Sequence, residues 1–224
     1  MTTTKRSSSA VDAPDPPGRR RARKGEGDLL RDEILDAAER LLVEKGNKDS
    51  VTIRGVAKAV GVSAPSIYLH FADKEELLYE TCRRVFDILN QRLMEAVGAG
   101  EGTVVERMIR AGRAYIAFGL EHPGQYVTLF GPGPADSAPL DLDDSDPGVQ
   151  AFGLLVGLLE AGVESGELKS DTDVIAAAVA VWAAVHGTVY ILISKRGIAE
   201  PVMTIDEEAV IETALSMMLD GLRA

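Results

Sequence analysis

Between Thr52 and Lys74 the chain gathers groups suited to holding an anion, not to breaking a bond. Four hydroxyls (Thr52, Ser63, Ser66 and Tyr68), one imidazole (His70) and three cations (Arg54, Lys58 and Lys74) sit among small residues, with Asp73 the single acid. Hydroxyl, imidazole and ammonium groups suit phosphate oxygens. The small residues Ala64, Pro65 and Ser66 would let a helix enter a DNA major groove. Catalytic chemistry is sparse. The chain holds three histidines and one cysteine, with no metal-ligand spacing and no glycine-rich phosphate loop. Asp141, Asp143, Asp144 and Asp146 lack the glycine and distal glutamate of a calcium loop and read as a solvated acidic stretch. No catalytic residue, metal or cofactor is expected.

The elements that must position these groups follow from local signals. Thr52 is an N-cap, with Val51 and Val56 as its hydrophobic staple. Ser63 repeats the device, with Val62 and Ile67 as staple and Pro65 in the first turn, where a missing N–H costs little. Gly61, between the two helices, can take the positive φ of a short turn. Asp73 caps a third helix, and Glu76 completes a capping box. The spacing predicts a helix over 63–70 and a long one over 73–97, about 35 Å at 1.5 Å per residue. Gly55 costs the first short helix roughly 1 kcal/mol in propensity.

Residues 52–57 (Thr-Ile-Arg-Gly-Val-Ala), 60–63 (Val-Gly-Val-Ser), 66–71 (Ser-Ile-Tyr-Leu-His-Phe) and 74–77 (Lys-Glu-Glu-Leu) resemble the DNA-binding signature of TetR-type transcriptional regulators. The resemblance covers about residues 29–79. It implies an all-α homodimer: an N-terminal three-helix helix-turn-helix domain, joined by a long helix to a C-terminal ligand-binding and dimerisation domain. It also implies that Ala64, Pro65, Ser66 and Tyr68 face base edges or nearby backbone. Thr52, His70 and Lys74 would contact phosphate, Arg54 either, and Ser63 belongs to the same face. Residues 182–187 (Trp-Ala-Ala-Val-His-Gly) resemble the Trp-x-x-x-His-Gly motif of one C-terminal subfamily.

Charge agrees once divided. Net charge is −11, but the first 80 residues carry 14 basic and 14 acidic groups, and the remainder 10 and 21. The acid therefore lies away from the anion-binding stretch. Cys82 has no disulfide partner, as in a reducing cytoplasm, and its helical spacing places it in a core. The N-terminus has no apolar run of a signal peptide. Residues 174–194 carry no charged side chain and could span a bilayer by length. Their many alanines and their place after a DNA-binding pattern favour burial within the protein or a dimer, with no membrane.

Residues 1–27 read as a disordered tail holding a basic cluster at 19–24. The domains expected are 28–75 for DNA and 76–224 for ligand and dimerisation. Helices are expected over 28–45, 103–121, 125–130, 148–165, 171–195 and 205–222, with a loop over 131–147. On the long helix, Leu78, Cys82, Val85, Phe86, Leu89 and Leu93 form the expected buried face. A shared apolar centre would be lined by Leu89, Leu93, Tyr115, Phe118, Tyr126, Phe130, Phe152, Leu155, Trp182, His186 and Tyr190. That suits a small apolar, neutral or weakly cationic effector. The eighth and ninth helices, about 171–195 and 205–222, are the expected homodimer surface. The function read from the sequence is a ligand-responsive regulator, a repressor acting on a palindromic double-stranded DNA operator. The alternative is a helical small-molecule-binding or catalytic domain whose helix-turn-helix is only structural.

Overall fold

The computed structural model describes residues 26–46, 48–130, 145–195 and 206–224. They are all-helical: α1 Glu26–Lys45, α2 Ile53–Val60, α3 Ala64–Ile67, α4 Lys74–Gly98, α5 Val104–Glu121, α6 Pro123–Phe130, α7 Pro147–Glu164, α8 Val174–Lys195 and α9 Glu207–Asp220. The strand-like feature among them is one isolated bridge, Leu168 with Arg223. The basic cluster at 19–24 and Asp141, Asp143 and Asp144 lie outside the described residues. Because α1 opens at Glu26, the expected tail boundary moves back from residue 27.

Side-chain caps set most helix starts. Thr52 accepts from Gly55 N, Asp73 from Glu76 N and Asp206 from Ala209 N. Thr103 and Glu106 form a complete capping box. Two expectations are corrected. The Ser63 hydroxyl makes no backbone cap; it pairs with the Ser66 hydroxyl at 2.8 Å. Glu76 reaches back past the cap residue, accepting from Ala72 N instead. Gly61 takes φ +78°, and its N–H and that of Val62 both close on Ala57 O. The third helix is shorter than 63–70. After Ile67 its carbonyl accepts from both His70 N and Phe71 N, so residues 68–70 continue as a hydrogen-bonded turn.

Three helices, α1 to α3, close over an apolar cluster that includes Ile34, Leu42, Val56, Ile67 and Phe71, with Leu77 of α4 completing it. Two further clusters fill the body. One joins Val85, Leu89 and Leu93 of α4 to Tyr115, Ile116 and Phe118 of α5 and to Val185 and Val189 of α8. The other packs α5 against α7, α8 and the end of α9. Ion pairs Arg31–Glu80 (2.8 Å) and Arg84–Asp36 (3.1 Å) tie α1 to α4.

The buried edge of α4 is displaced at its start: Leu77 and Thr81 are buried, whereas Leu78 and Cys82 are half-buried. A threonine can occupy that edge because its hydroxyl donates to Leu77 O at 2.7 Å, which satisfies it inside its own helix. Helix α8 is long and apolar enough to cross a bilayer by length and composition. Here it packs against α5, α7 and α9, leaving Ile175, Val179, Tyr190 and Ile191 exposed.

Where α5 meets α8, a Cβ on Gly119 would lie 2.3 Å from Val189 Cγ1, on a side chain that is fully buried. Gly153 of α7 has nothing within 4 Å of its Cβ position. Gly119→Ala should therefore destabilise the fold by about 1–3 kcal/mol through overpacking. Gly153→Ala should stabilise it by up to about 1 kcal/mol through helix propensity. Thermal unfolding of both variants, read by circular dichroism, checks the opposite signs.

Candidate nucleic-acid interface and cavity

The caps of α2 and α4 and the turn at Gly61 hold α3 on the outside of the head. Ile67 and Phe71 anchor it inward. Between them, Tyr68 is 55% and Leu69 83% exposed. Thr52, Arg54, Ser63 and Pro65 are exposed, while Ser66, His70 and Lys74 are half-exposed. Lys74 Nζ lies 3.5 Å from Asp49 O. Ala64 differs from the rest: it packs partly against the head core. Leu69 was not singled out in the sequence. The alternation of buried Ile67 and Phe71 around it is the signal that places it outward.

This face suits a duplex. A single short helix presents small and hydroxyl side chains, with cations at its flanks and no exposed carboxylate on α2 or α3 themselves. Lys74→Ala should weaken binding to duplex DNA of any sequence and reduce the salt slope by about one. Tyr68→Ala should weaken it as well. Fluorescence anisotropy at several salt concentrations reads both, and unchanged affinity and slope in both variants would remove this face from the interface.

The body holds a partly open cavity of about 320 Å³ bounded by α4, α5, α6, α7, α8 and α9. Leu89, Leu93, Tyr115, Phe130, Phe152, Leu155 and Trp182 line it. Four other expected residues do not. Phe118 is buried on the far side of α5, beneath the Arg92 guanidinium and against His122. Tyr126 and His186 stand behind the wall, bonded to each other. Tyr190 is 59% exposed on the outer side of α8. The lining also takes residues the sequence reading missed, among them Phe86, Met108, Leu154, Val185, Leu215 and Met218. An apolar stripe shows which residues turn inward, but not which of those stop short of filling the centre.

A polar chain runs from Tyr115 on the wall back to Tyr126 and His186. The Tyr126 hydroxyl lies 2.6 Å from His186 Nδ1, and the Tyr115 hydroxyl 3.4 Å from both. Burial lowers the His186 pKa and raises those of Tyr115 and Tyr126. A neutral imidazole makes the 2.6 Å bond in either tautomer: Tyr126 donates to an unprotonated Nδ1, and Nδ1 donates to Tyr126 when it carries the hydrogen. Rings pack around the pair: Phe130 lies edge-on to His186, and Trp182 sits one turn before it on α8. At the other side, Asp146 caps α7. Its Oδ1 accepts from Gly148 N and Val149 N, and its Oδ2 from Tyr79 of α4 at 2.9 Å. Asn90 of α4 donates to Pro147 O at 2.7 Å.

A histidine whose folded pKa lies below its unfolded value contributes stability above about pH 6.5, lost as pH falls through the folded value. Tyr126→Phe should cost about 1–3 kcal/mol at pH 8, because it removes the 2.6 Å bond and leaves Nδ1 only the Tyr115 hydroxyl at 3.4 Å. That deficit should shrink as pH falls below about 6.5 and through the lowered value at which the folded chain protonates His186. Urea unfolding at pH 8 and along a series of falling pH gives the comparison.

Similarity to known proteins covers both regions. Residues 34–81 match the model of bacterial regulatory proteins of the tetR family, and residues 108–218 match a tetracyclin repressor-like C-terminal domain. The transcriptional repressor KstR2 of Rhodococcus jostii is 27% identical over 197 residues, 86% of this chain and 90% of its own. The regulator Rv0681 of Mycobacterium tuberculosis is 28% identical over 216 residues, 94% and 92% of the two chains. The structure of the transcriptional regulator FadR from Bacillus subtilis, in complex with stearoyl-CoA, superposes with TM-score 0.65 at 19% identity. It covers 84% of this chain and 97% of that one.

Proposed function

The chain belongs to the TetR family of transcriptional regulators, and from that premise we propose that it is a repressor released from a palindromic operator by a small, apolar, neutral molecule. Regulation of transcription through a helix-turn-helix, with no enzymatic role, is the family's activity. The finer reading rests on one observation: a 320 Å³ chamber, its described lining almost wholly apolar, borders the same helix that enters the DNA-binding head. Sites for small molecules are cavities of this kind, apolar with a few polar tips. The FadR neighbour, of the same fold, holds stearoyl-CoA, whose acyl chain is apolar.

The described lining contains no lysine or arginine to neutralise an acidic effector. Arg107 is exposed. Arg110 donates to Ala96 O, and Arg113 pairs with Glu208 and Glu212. We read residues 28–75 as the DNA-binding unit and 76–224 as the effector and dimerisation unit, working in the cytoplasm on double-stranded DNA. The dimer would form through α8 and α9. Ile175, Val179, Tyr190 and Ile191 of α8 and Met217 of α9 stand exposed, an apolar surface that a second copy would cover.

In that dimer the two α3 helices meet successive major grooves, about 34–36 Å apart. An effector favouring the α4 position that changes this spacing releases the DNA. Equal affinity for both positions would shift nothing. Genomic fragments recovered with the protein supply an operator, and apolar compounds titrated against that complex test the whole reading. The expected result is DNA release together with a change in Trp182 fluorescence over one concentration range. Sedimentation should give a dimer at micromolar concentration; a stable monomer, or release without any change at Trp182, would contradict the proposal.

A further inference from the structure

We infer that the effector carries a neutral hydrogen-bond acceptor, such as a ketone or ester oxygen on an apolar body, and that the Tyr115 hydroxyl donates to it. The inference rests on the cavity being the effector site. Among its described lining residues, only Tyr115 and Trp182 bear a side-chain nitrogen or oxygen. An indole gives a hydrogen and accepts none, whereas a phenol can do both. What decides the matter is where the Tyr115 hydrogen can go.

Tyr126 and His186 Nδ1 are bonded to each other at 2.6 Å, and the Tyr126 hydroxyl also lies 3.4 Å from His186 O. Whichever of the two atoms carries the hydrogen of the 2.6 Å bond, the acceptors open to the Tyr115 hydrogen, Tyr126 Oη and an unprotonated His186 Nδ1, are both 3.4 Å away. A good O–H···O bond is about 2.7–2.8 Å, so Tyr115, itself buried, holds a poorly used donor on the cavity wall. An oxygen brought in by a ligand at ordinary distance gives that hydrogen a better partner. Tyr126 and His186 are positioning residues here: their bond to each other holds the nearest competing acceptors 3.4 Å from the Tyr115 hydroxyl.

Charge on the effector is disfavoured from both sides. An anion finds the N-terminus of α7 at Gly148 already neutralised by the Asp146 carboxylate. A cation finds that carboxylate engaged on both oxygens, by Gly148 N, Val149 N and the Tyr79 hydroxyl. No acidic residue stands among the described lining.

The test compares two probes of nearly one shape, 1-tetralone and tetralin, by equilibrium dialysis against the full-length protein. On the unaltered chain the ketone should bind about threefold to tenfold more tightly than the hydrocarbon, the worth of one neutral hydrogen bond. In Tyr115→Phe that preference should fall to about one, while tetralin affinity holds within about twofold. A third chain, Ala151→Phe, fills the cavity at a lining residue and should lose both probes. If both probes bind Ala151→Phe as well as the unaltered chain, the cavity is not the site and the effector reading fails. If Ala151→Phe loses them but the ketone preference is absent, or survives in Tyr115→Phe, the cavity reading stands and the acceptor inference is overturned. The two-probe comparison on the unaltered chain decides the ketone preference even if a variant folds poorly.

Discussion

One unbroken helix with an end in each hydrophobic core constrains everything else. Helix α4 contributes Leu77 to the cluster of the DNA-binding head and Val85, Leu89 and Leu93 to that of the body. Close-packed interiors do not stretch, so the two ends cannot shift independently without opening a void in one cluster. What lies between them is weaker. The ion pairs joining α1 to α4 are partly exposed, and such pairs contribute little. The head has a second seat on the body, where Gly124 of α6 lies against Val43 of α1 and Gln125 donates to Glu39.

The cavity is placed to act on that rod. Leu89 and Leu93 are wall residues and core residues at once. Two hydrogen bonds carry α4 across to the start of α7, Tyr79 to Asp146 and Asn90 to Pro147 O, and the next residue, Gly148, is also wall. Helix α6 repeats the arrangement, with Phe130 on the wall and Gly124 on α1. A tenant of the proposed site would press on both connections to the head through direct contacts.

Sequence-local physics was legible and three-dimensional competition was not. The caps at Thr52 and Asp73 involve partners three residues away, so type and spacing suffice. The Gly61 turn is equally local. Ser63 has the same residue type as a cap, yet its hydroxyl turned to Ser66, an equally close partner that spacing alone does not rank. Thr81 is polar by type, and its bond to Leu77 O lets it sit on the buried edge of α4, one residue before the expected one. On the body helices, pattern marked an apolar side without saying what it would face. Phe118 and Phe130 are both inward aromatics. Phe118 of α5 packs under Arg92 and against His122, whereas Phe130 of α6 stands on the cavity wall.

Helix α8 brings these threads together because it is two-sided. Its inner side supplies Val181, Trp182 and Val185 to the cavity wall and His186 to the polar chain behind it. Its outer side exposes Ile175, Val179, Tyr190 and Ile191. In the proposed dimer that outer side is the subunit interface, so one helix has the effector on one flank and the partner subunit on the other. A helix apolar on both sides can rotate or slide slightly without stranding a charge in either place, which a one-sided amphipathic helix cannot do. The charge-free run at residues 174–194, which by composition alone could pass for a membrane span, is then what joins the effector cavity to the spacing of the two DNA-binding heads.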